Sequence, residues 1–242
     1  MKEPFSKNID FREGYVLVVD KPLGWTSTDV VRKVKFMLNR NGLRNLKVGH
    51  AGTLDPLATG VLLVCLGKAT KRVEALQAEE KEYVTEMVLG ATTPSFDMEH
   101  PVDATYPWEH PIDRTYPTEH ITREAVEQAL VSLTGERLQM PPLYSAKKID
   151  GQRAYEYARE GEEVKLRAAA ICIYSMELLE YDLPRIKVRV VCSKGTYIRS
   201  LAREVGEALG SGAYLSSLRR TRSGGFTATD GYSVEEIINT LK

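Results

Sequence analysis

The chain has 242 residues, with 33 Lys/Arg balanced by 33 Asp/Glu and 43% hydrophobic residues. A chain of this length can bury roughly 70% of its unfolded surface, either as one large domain or as two fused lobes. No apolar run approaches the roughly 18 residues that span a bilayer, and the N-terminus lacks the apolar core of a signal peptide, so a soluble cytoplasmic protein with no membrane partner is expected.

Zero net charge conceals a segregated distribution. Residues 1–50 carry +5, 51–73 carry +2, 74–136 carry −11, 137–222 carry +6 and 223–242 carry −2. Brought together, the basic segments could guide a polyanion; the plainer alternative is a solvated mixture of charges. Cys65, Cys172 and Cys192 lie in apolar stretches with no C-x-x-C pair, which favours reduced core thiols over a disulfide or a zinc site.

In chain order, Tyr15 to Val19 reads as a buried strand that stops at the turn Asp20-Lys21-Pro22-Leu23-Gly24. Val30, Val31, Val34, Met37 and Leu38 then mark one face of a helix ended by Asn41-Gly42, with Arg32, Lys33, Lys35 and Arg40 on the outer face. Next comes Val48-Gly49-His50-Ala51-Gly52-Thr53-Leu54-Asp55-Pro56-Leu57-Ala58-Thr59-Gly60, in which Asp55 is the only acid. Its glycines permit turns with positive φ, and Pro56 biases Asp55 towards an extended conformation, so Asp55 is expected on a stiff, partly buried loop. An Asp-Pro pair can also simply start a turn.

Gly60 to Gly67 reads as a fully buried strand, followed by a short helix through Ala69, Val73 and Leu76 and a strand from Glu82 to Leu89. Residues 98–121 repeat with a period of ten and hold three Glu-His pairs, at 99/100, 109/110 and 119/120. Duplication copies histidines without any need for ligand geometry, so an extended surface insertion is favoured over a metal site. Thr122 is the N-cap expected for a helix ending at Gly135, and Ala154 to Glu160 reads as a brief helix.

Strands are expected at Ile171 to Leu179 and Ile186 to Cys192. After Gly195 comes a helix with an apolar face of Ile198, Leu201, Ala202, Val205 and Leu209. Arg199 falls in its first turn, where the helix dipole disfavours a cation; an anion is needed there, and Asp55 is a candidate. Leu215 to Arg222 is a last basic strand, and Ser233 with Glu236 forms a capping box for a terminal helix. Signatures of phosphate loops, nucleophile elbows and zinc proteases are missing, and no Ser or Cys is placed to form a triad with His50 and Asp55.

Five ordered motifs carry a resemblance over nearly the whole chain. They are Asp20-Lys21-Pro22-x-Gly24-x-Thr26-Ser27, the Gly49 to Gly60 stretch, Lys81-Glu82-Tyr83, Pro141-Pro142-x-Tyr144-Ser145-Ala146-x-Lys148, and Ser193 to Arg199 with Leu218-Arg219-Arg220. In these the chain resembles the tRNA pseudouridine 55 synthases of the TruB type. The resemblance implies an α+β pseudouridine synthase fold, with a mixed, mostly antiparallel central sheet flanked by helices and loops and a catalytic cleft across the sheet. It also implies a single catalytic domain over residues 1–242, with 98–121 as an insertion and 137–161 as a mobile RNA-contacting loop; bacterial members of the family often continue into a small C-terminal RNA-binding domain, whereas this sequence stops at Lys242, so no such domain is expected here.

The implied activity is isomerisation of uridine in the T stem-loop of tRNA, without cofactor, metal or obligate protein partner, by a monomer. Asp55 matches the catalytic aspartate, Tyr83 the tyrosine that stacks on the base and Arg199 the arginine paired with the aspartate. Tyr197 and Leu218 match the base pocket, His50 a residue touching displaced nucleotides, and Lys21 joins the substrate-binding set through the first motif. The stretch after Gly90, usually Thr-Asp-Thr-like in the family, is altered here to Thr92-Thr93-Pro94-Ser95-Phe96-Asp97. Two other readings compete: a non-catalytic tRNA-binding module, and a guide-dependent relative that modifies ribosomal RNA.

Overall fold

The computed structural model describes residues 5–6, 8–100, 116–145, 148–149, 152–153, 157 and 166–242. In chain order its elements are β1 (Tyr15–Lys21), α1 (Ser27–Arg40), β2 (Val48–Ala51), β3 (Ala58–Leu66), a 3-10 turn (Gly67–Arg72), α2 (Val73–Ala78), β4 (Lys81–Leu89), α3 (Arg123–Ser132), β5 (Gly135–Gln139), β6 (Lys148–Ile149) and β7 (Gln152–Arg153). Then follow β8 (Ala169–Asp182), β9 (Arg185–Cys192), α4 (Ile198–Ala208), β10 (Ala213–Ser223), β11 (Phe226–Thr227), a second 3-10 turn and α5 (Val234–Thr240). Most of the repeat, the brief helix expected at Ala154 to Glu160 and much of the 137–161 loop lie outside the described residues.

The chain divides into two compact units, Met1–Val84 with Leu218–Lys242, and Thr85–Ser217. In the first, strands follow the order β1-β3-β10-β4. Its centre is β3, where every residue from Val61 to Leu66 is wholly buried, as the glycine-bounded apolar run predicts. Each such side chain contributes roughly 1.5–3 kcal/mol of burial. On one flank β1 pairs antiparallel, with Lys21 opposite Gly60; on the other β10 pairs parallel, with Arg220 opposite Gly60. Gly60 has φ +99°, and a Cβ there would lie 2.1 Å from the Arg220 carbonyl oxygen, so only glycine admits this approach.

β2 pairs antiparallel with β3, and Val18, Ala51, Val61, Leu63, Cys65, Ala69 and Leu76 form a core beneath them. α1 buries Val30, Val34, Met37 and Leu38, the predicted stripe. It starts at a capping box in which the Asp29 amide donates to Thr26 Oγ1 and the Thr26 amide donates to Asp29 Oδ2, both at 3.0 Å.

The second unit holds the later part of β4 (Thr85–Leu89), the earlier part of β10 (Ala213–Ser217) and the run β9-β8-β5, with β8 antiparallel to both β9 and β5. α4 buries Ile198, Leu201, Ala202 and Val205, again the predicted face. The predicted strands at 171–179 and 186–192 are observed, the first extended to Ala169–Asp182. Together the pairings give the mixed, mostly antiparallel α+β arrangement expected. No helix among the described residues is long and apolar enough to cross a membrane. The cysteines are free; Cys65 and Cys192 are buried and Cys172 is half-buried.

Candidate active site

Asp55 lies half-buried in the first unit, on the turn between β2 and β3, and the Ala58 amide closes that turn by donating to the Asp55 carbonyl at 3.1 Å. Both flanks of the acid are pinned by the Asp20 to Ser27 motif. Ser27 Oγ donates to the Leu54 carbonyl and accepts from the Leu54 amide. The Gly24 amide donates to the Pro56 carbonyl at 2.9 Å. Lys21 Nζ donates to the carbonyls of Pro22 (3.0 Å), Trp25 (2.6 Å) and Pro56 (3.3 Å). A lysine, a glycine turn and a helix-capping Thr-Ser pair are thus what it takes to hold the residues on either side of Asp55.

A second buried cation comes from β10. Arg220 is 1% exposed; its Nε donates to the Val61 carbonyl at 2.7 Å and its Nη2 to the Gly52 carbonyl at 3.1 Å. Lys21 and Arg220 therefore stand opposite one glycine, Gly60, on the two strands that flank β3, and each reaches the loop bearing Asp55. Burial lowers the Lys21 ammonium to about 8, helped by the Arg220 charge and opposed by the negative charge of Asp55. Burial, then Arg220, also lowers the His50 imidazole, against the backbone of Gly52, so His50 is neutral at pH 7.

Tyr83 is buried on β4 and Leu218 pairs opposite Ala58, three residues beyond Asp55. The first unit therefore holds Asp55, Lys21, His50, Tyr83 and Leu218, while Tyr197 and Arg199 belong to the second. Tyr197 is the N-cap residue of α4 but its side chain makes no capping bond to the helix; Gln139 holds its backbone, accepting from the Tyr197 amide at 2.8 Å and donating to the Tyr197 carbonyl at 3.2 Å.

Arg199 is 4% exposed. Within its unit it donates to the carbonyls of Ser95 (3.1 Å) and Tyr144 (2.8 Å), and its Nε lies 3.7 Å from Asp97 Oδ2. Asp97 is itself fixed, Oδ1 accepting from Ser95 Oγ at 2.6 Å and from the Glu99 amide at 2.9 Å. The anion that the first turn of α4 requires is supplied in this unit by Asp97. Asp55, the expected partner of Arg199, belongs to the other unit.

The structural roles of Ser27, Arg220, Asp97 and Gln139 escaped the sequence reading. Ser27 and Arg220 stand inside recognised motifs, which was a usable signal; Asp97 ends the altered stretch, and nothing local marks Gln139. Two of the Glu-His pairs fall among the described residues. The His100 ring lies 4.5 Å from that of Tyr144, and His120 Nε2 is 2.7 Å from the Leu209 carbonyl. Among the described residues no group of three or more His, Cys, Asp or Glu is arranged to hold a metal ion.

Comparison with known proteins settles the family. Residues 40–198 match the model of the TruB family pseudouridylate synthase N-terminal domain, and residues 199–242 that of the tRNA pseudouridylate synthase B C-terminal domain. The chain belongs to the TruB family of pseudouridylate synthases. It is 57% identical to the tRNA pseudouridine synthase B of Phocaeicola vulgatus over 228 residues, covering 94% of this chain and 93% of that protein. Identity to the Bacteroides fragilis protein of the same name is 58% over 217 residues, 89% of each chain. Among solved structures, a chain of a Cbf5-Nop10-Gar1 complex superposes with a TM-score of 0.69 at 31% identity, covering 99% of this TruB-family chain and 62% of that one.

Proposed function

We propose that this TruB-family chain isomerises uridine to pseudouridine at position 55 in the T loop of tRNA, with Asp55 as the catalytic carboxylate. The reaction breaks the N1–C1′ glycosidic bond, turns the uracil, forms a C5–C1′ bond and moves a proton from C5 to N1. It is an isomerisation that needs no external oxidant, reductant or group donor. The base must leave its stack and stay trapped while detached. Stacking on Tyr83 contributes on the order of 1–3 kcal/mol against the few kcal/mol that flipping costs. Tyr197 and Leu218 line the base pocket, His50 meets displaced nucleotides, and Arg199 is the arginine matched to the catalytic aspartate.

One observation carries the reading: the loop of Asp55 is braced on both sides by buried donors, Ser27 and Arg220 on the segment before it and Lys21 on the residue after it. Such bracing holds a carboxylate in a fixed pose against substrate, which a passive turn would not require. Asp55 then acts by attack at C1′, by attack on the uracil ring, or by taking a proton at C2′. The chain works as a monomer in the cytoplasm, as one catalytic domain, without a protein partner, metal or cofactor.

The deciding experiment is tritium release from tRNA carrying 5-tritiated uridine, with the modified position mapped. Purified wild type releases tritium at position 55 and also acts on a bare T stem-loop; Asp55→Asn releases none and still binds tRNA. A chain that binds but never releases tritium would be a binding module, and one that needs guide RNA and partners would be a guide-dependent relative.

A further inference from the structure

The first unit contains a cationic groove that none of the roles above uses. Residues 30–54 hold six Lys/Arg and no acid. Folding gathers part of this run around an open groove of about 880 Å³. Lys35 and Asn39 line it from successive turns of α1, Asn45 and Lys47 from the turn into β2, Gly49 from β2 itself, and Thr70 from the 3-10 turn. Both lysines and both asparagines are exposed, no carboxylate lines the groove, and no acid among the described residues pairs with either lysine.

The wall is stiff where it carries the lysines. Asn45 adopts φ +61°, turning the chain back along α1; Leu46, 4% exposed, anchors that turn in the core; and the Lys47 carbonyl accepts from the Gly67 amide at 2.9 Å. Two ammonium groups, two amides and a hydroxyl with no competing anion suit a ligand rich in acceptors and negative charge, as a chain of phosphates is. The groove also leads somewhere. Gly49 lines it, His50 follows, and β2 runs on to Gly52 and the loop of Asp55; at the usual strand rise, Gly49 and Gly52 are about 10 Å apart.

We propose that this groove is a binding site for the sugar-phosphate backbone of the substrate tRNA, with Lys35 and Lys47 each neutralising one phosphate and Asn39, Asn45 and Thr70 giving uncharged hydrogen bonds. The site rests on the reading of tRNA as substrate and adds where its backbone is held. Contacts of this kind set register and affinity and do not take part in the chemistry.

The test uses the full chain with Lys35→Gln and Lys47→Gln combined, and an unmodified tRNA transcript as probe. Dissociation constants are measured over a salt series, alongside the single-turnover rate of tritium release at saturating tRNA. The double variant is expected to bind about tenfold or more weaker at low salt, with a log K against log salt slope shallower by about 1.4–1.8, and to keep the wild-type rate at saturation. Lys47→Gln alone should give about half of that slope change.

A control double, Lys68→Gln with Lys242→Gln, removes the same formal charge elsewhere. An unchanged slope in the groove variant at wild-type thermal midpoint, or an equal change in the control, overturns the proposal. Wild type that releases no tritium would instead overturn the assigned activity, so the two failures are told apart.

Discussion

Ser27 and Leu54 exchange two hydrogen bonds: the Ser27 hydroxyl donates to the Leu54 carbonyl at 3.1 Å and accepts from the Leu54 amide at 2.9 Å. A buried side chain, 2% exposed at the first residue of α1, so satisfies both backbone groups of the residue before Asp55. The capping Thr26 beside it fixes where α1 begins, and hence where that hydroxyl stands.

Ser27→Ala leaves a buried donor and acceptor unmet, and its expected cost is about 1–3 kcal/mol, read as a lower midpoint in urea denaturation. Because the loop rather than an RNA contact is disturbed, the activity loss of about tenfold to a hundredfold should appear in kcat with little change in KM.

Lys21 sets an alkaline limit. Its folded pKa of about 8 lies below the ordinary 10.5, so between these values the unfolded chain holds the proton more tightly, and this group's contribution to stability rises with pH across that window. Below about 8 the buried charge is a constant cost of about 3 kcal/mol. Activity moves the other way: losing the proton removes one of three donors to the carbonyls of Pro22, Trp25 and Pro56, and the Asp55 loop slackens. The kcat/KM profile should fall above about pH 8, and Lys21→Met, less active throughout, should lack that limb. A limb of equal position in both proteins would assign it to another group.

Gly60→Ala puts a methyl 2.1 Å from the Arg220 carbonyl in a backbone with φ +99°, and about 3 kcal/mol or more should be lost. Arg220→Met acts on the same rung differently. It leaves the Val61 and Gly52 carbonyls without their donor and should cost about 2–4 kcal/mol. Arg220→Lys, a point charge without the planar fork, should recover only part of it. Thermal melts of the three variants rank these effects.

Asp97→Asn keeps an oxygen for Ser95 and the Glu99 amide while removing the charge beside Arg199. A stability loss of about 3 kcal/mol is expected, and the double variant with Arg199→Met should lose less than the sum of the single changes. Strict additivity would mean that the pair does not interact.

Regular elements were legible because their signals are local. The α1 stripe, the run of β3, the face of α4 and the capping box at Ser233 and Glu236 all appear where periodicity and capping chemistry put them. β2 carries no strand signal of its own, since Val48-Gly49-His50-Ala51 is too short and too small to announce one; pairing with β3 makes it a strand. α4 begins after Gly195 with Arg199 in its first turn, as expected, but nothing local shows that the distant Gln139 holds the backbone of its cap, Tyr197.

Asp55 stood out as a lone acid in an apolar glycine-rich stretch. Its supports did not, because the burial of Lys21, Arg220 and Asp97 is created by neighbours far along the chain. Arg220 and Val61 are 159 residues apart, and Arg199 and Ser95 are 104 apart.

The first unit joins Met1–Val84 to Leu218–Lys242. During synthesis the acid-bearing turn therefore emerges from the ribosome long before the strand that carries Arg220, and the Ala58–Gly60 end of β3 lacks its β10 partner while the intervening segment is made. A fragment ending before β10 would hold Asp55 without the Arg220 brace on Gly52.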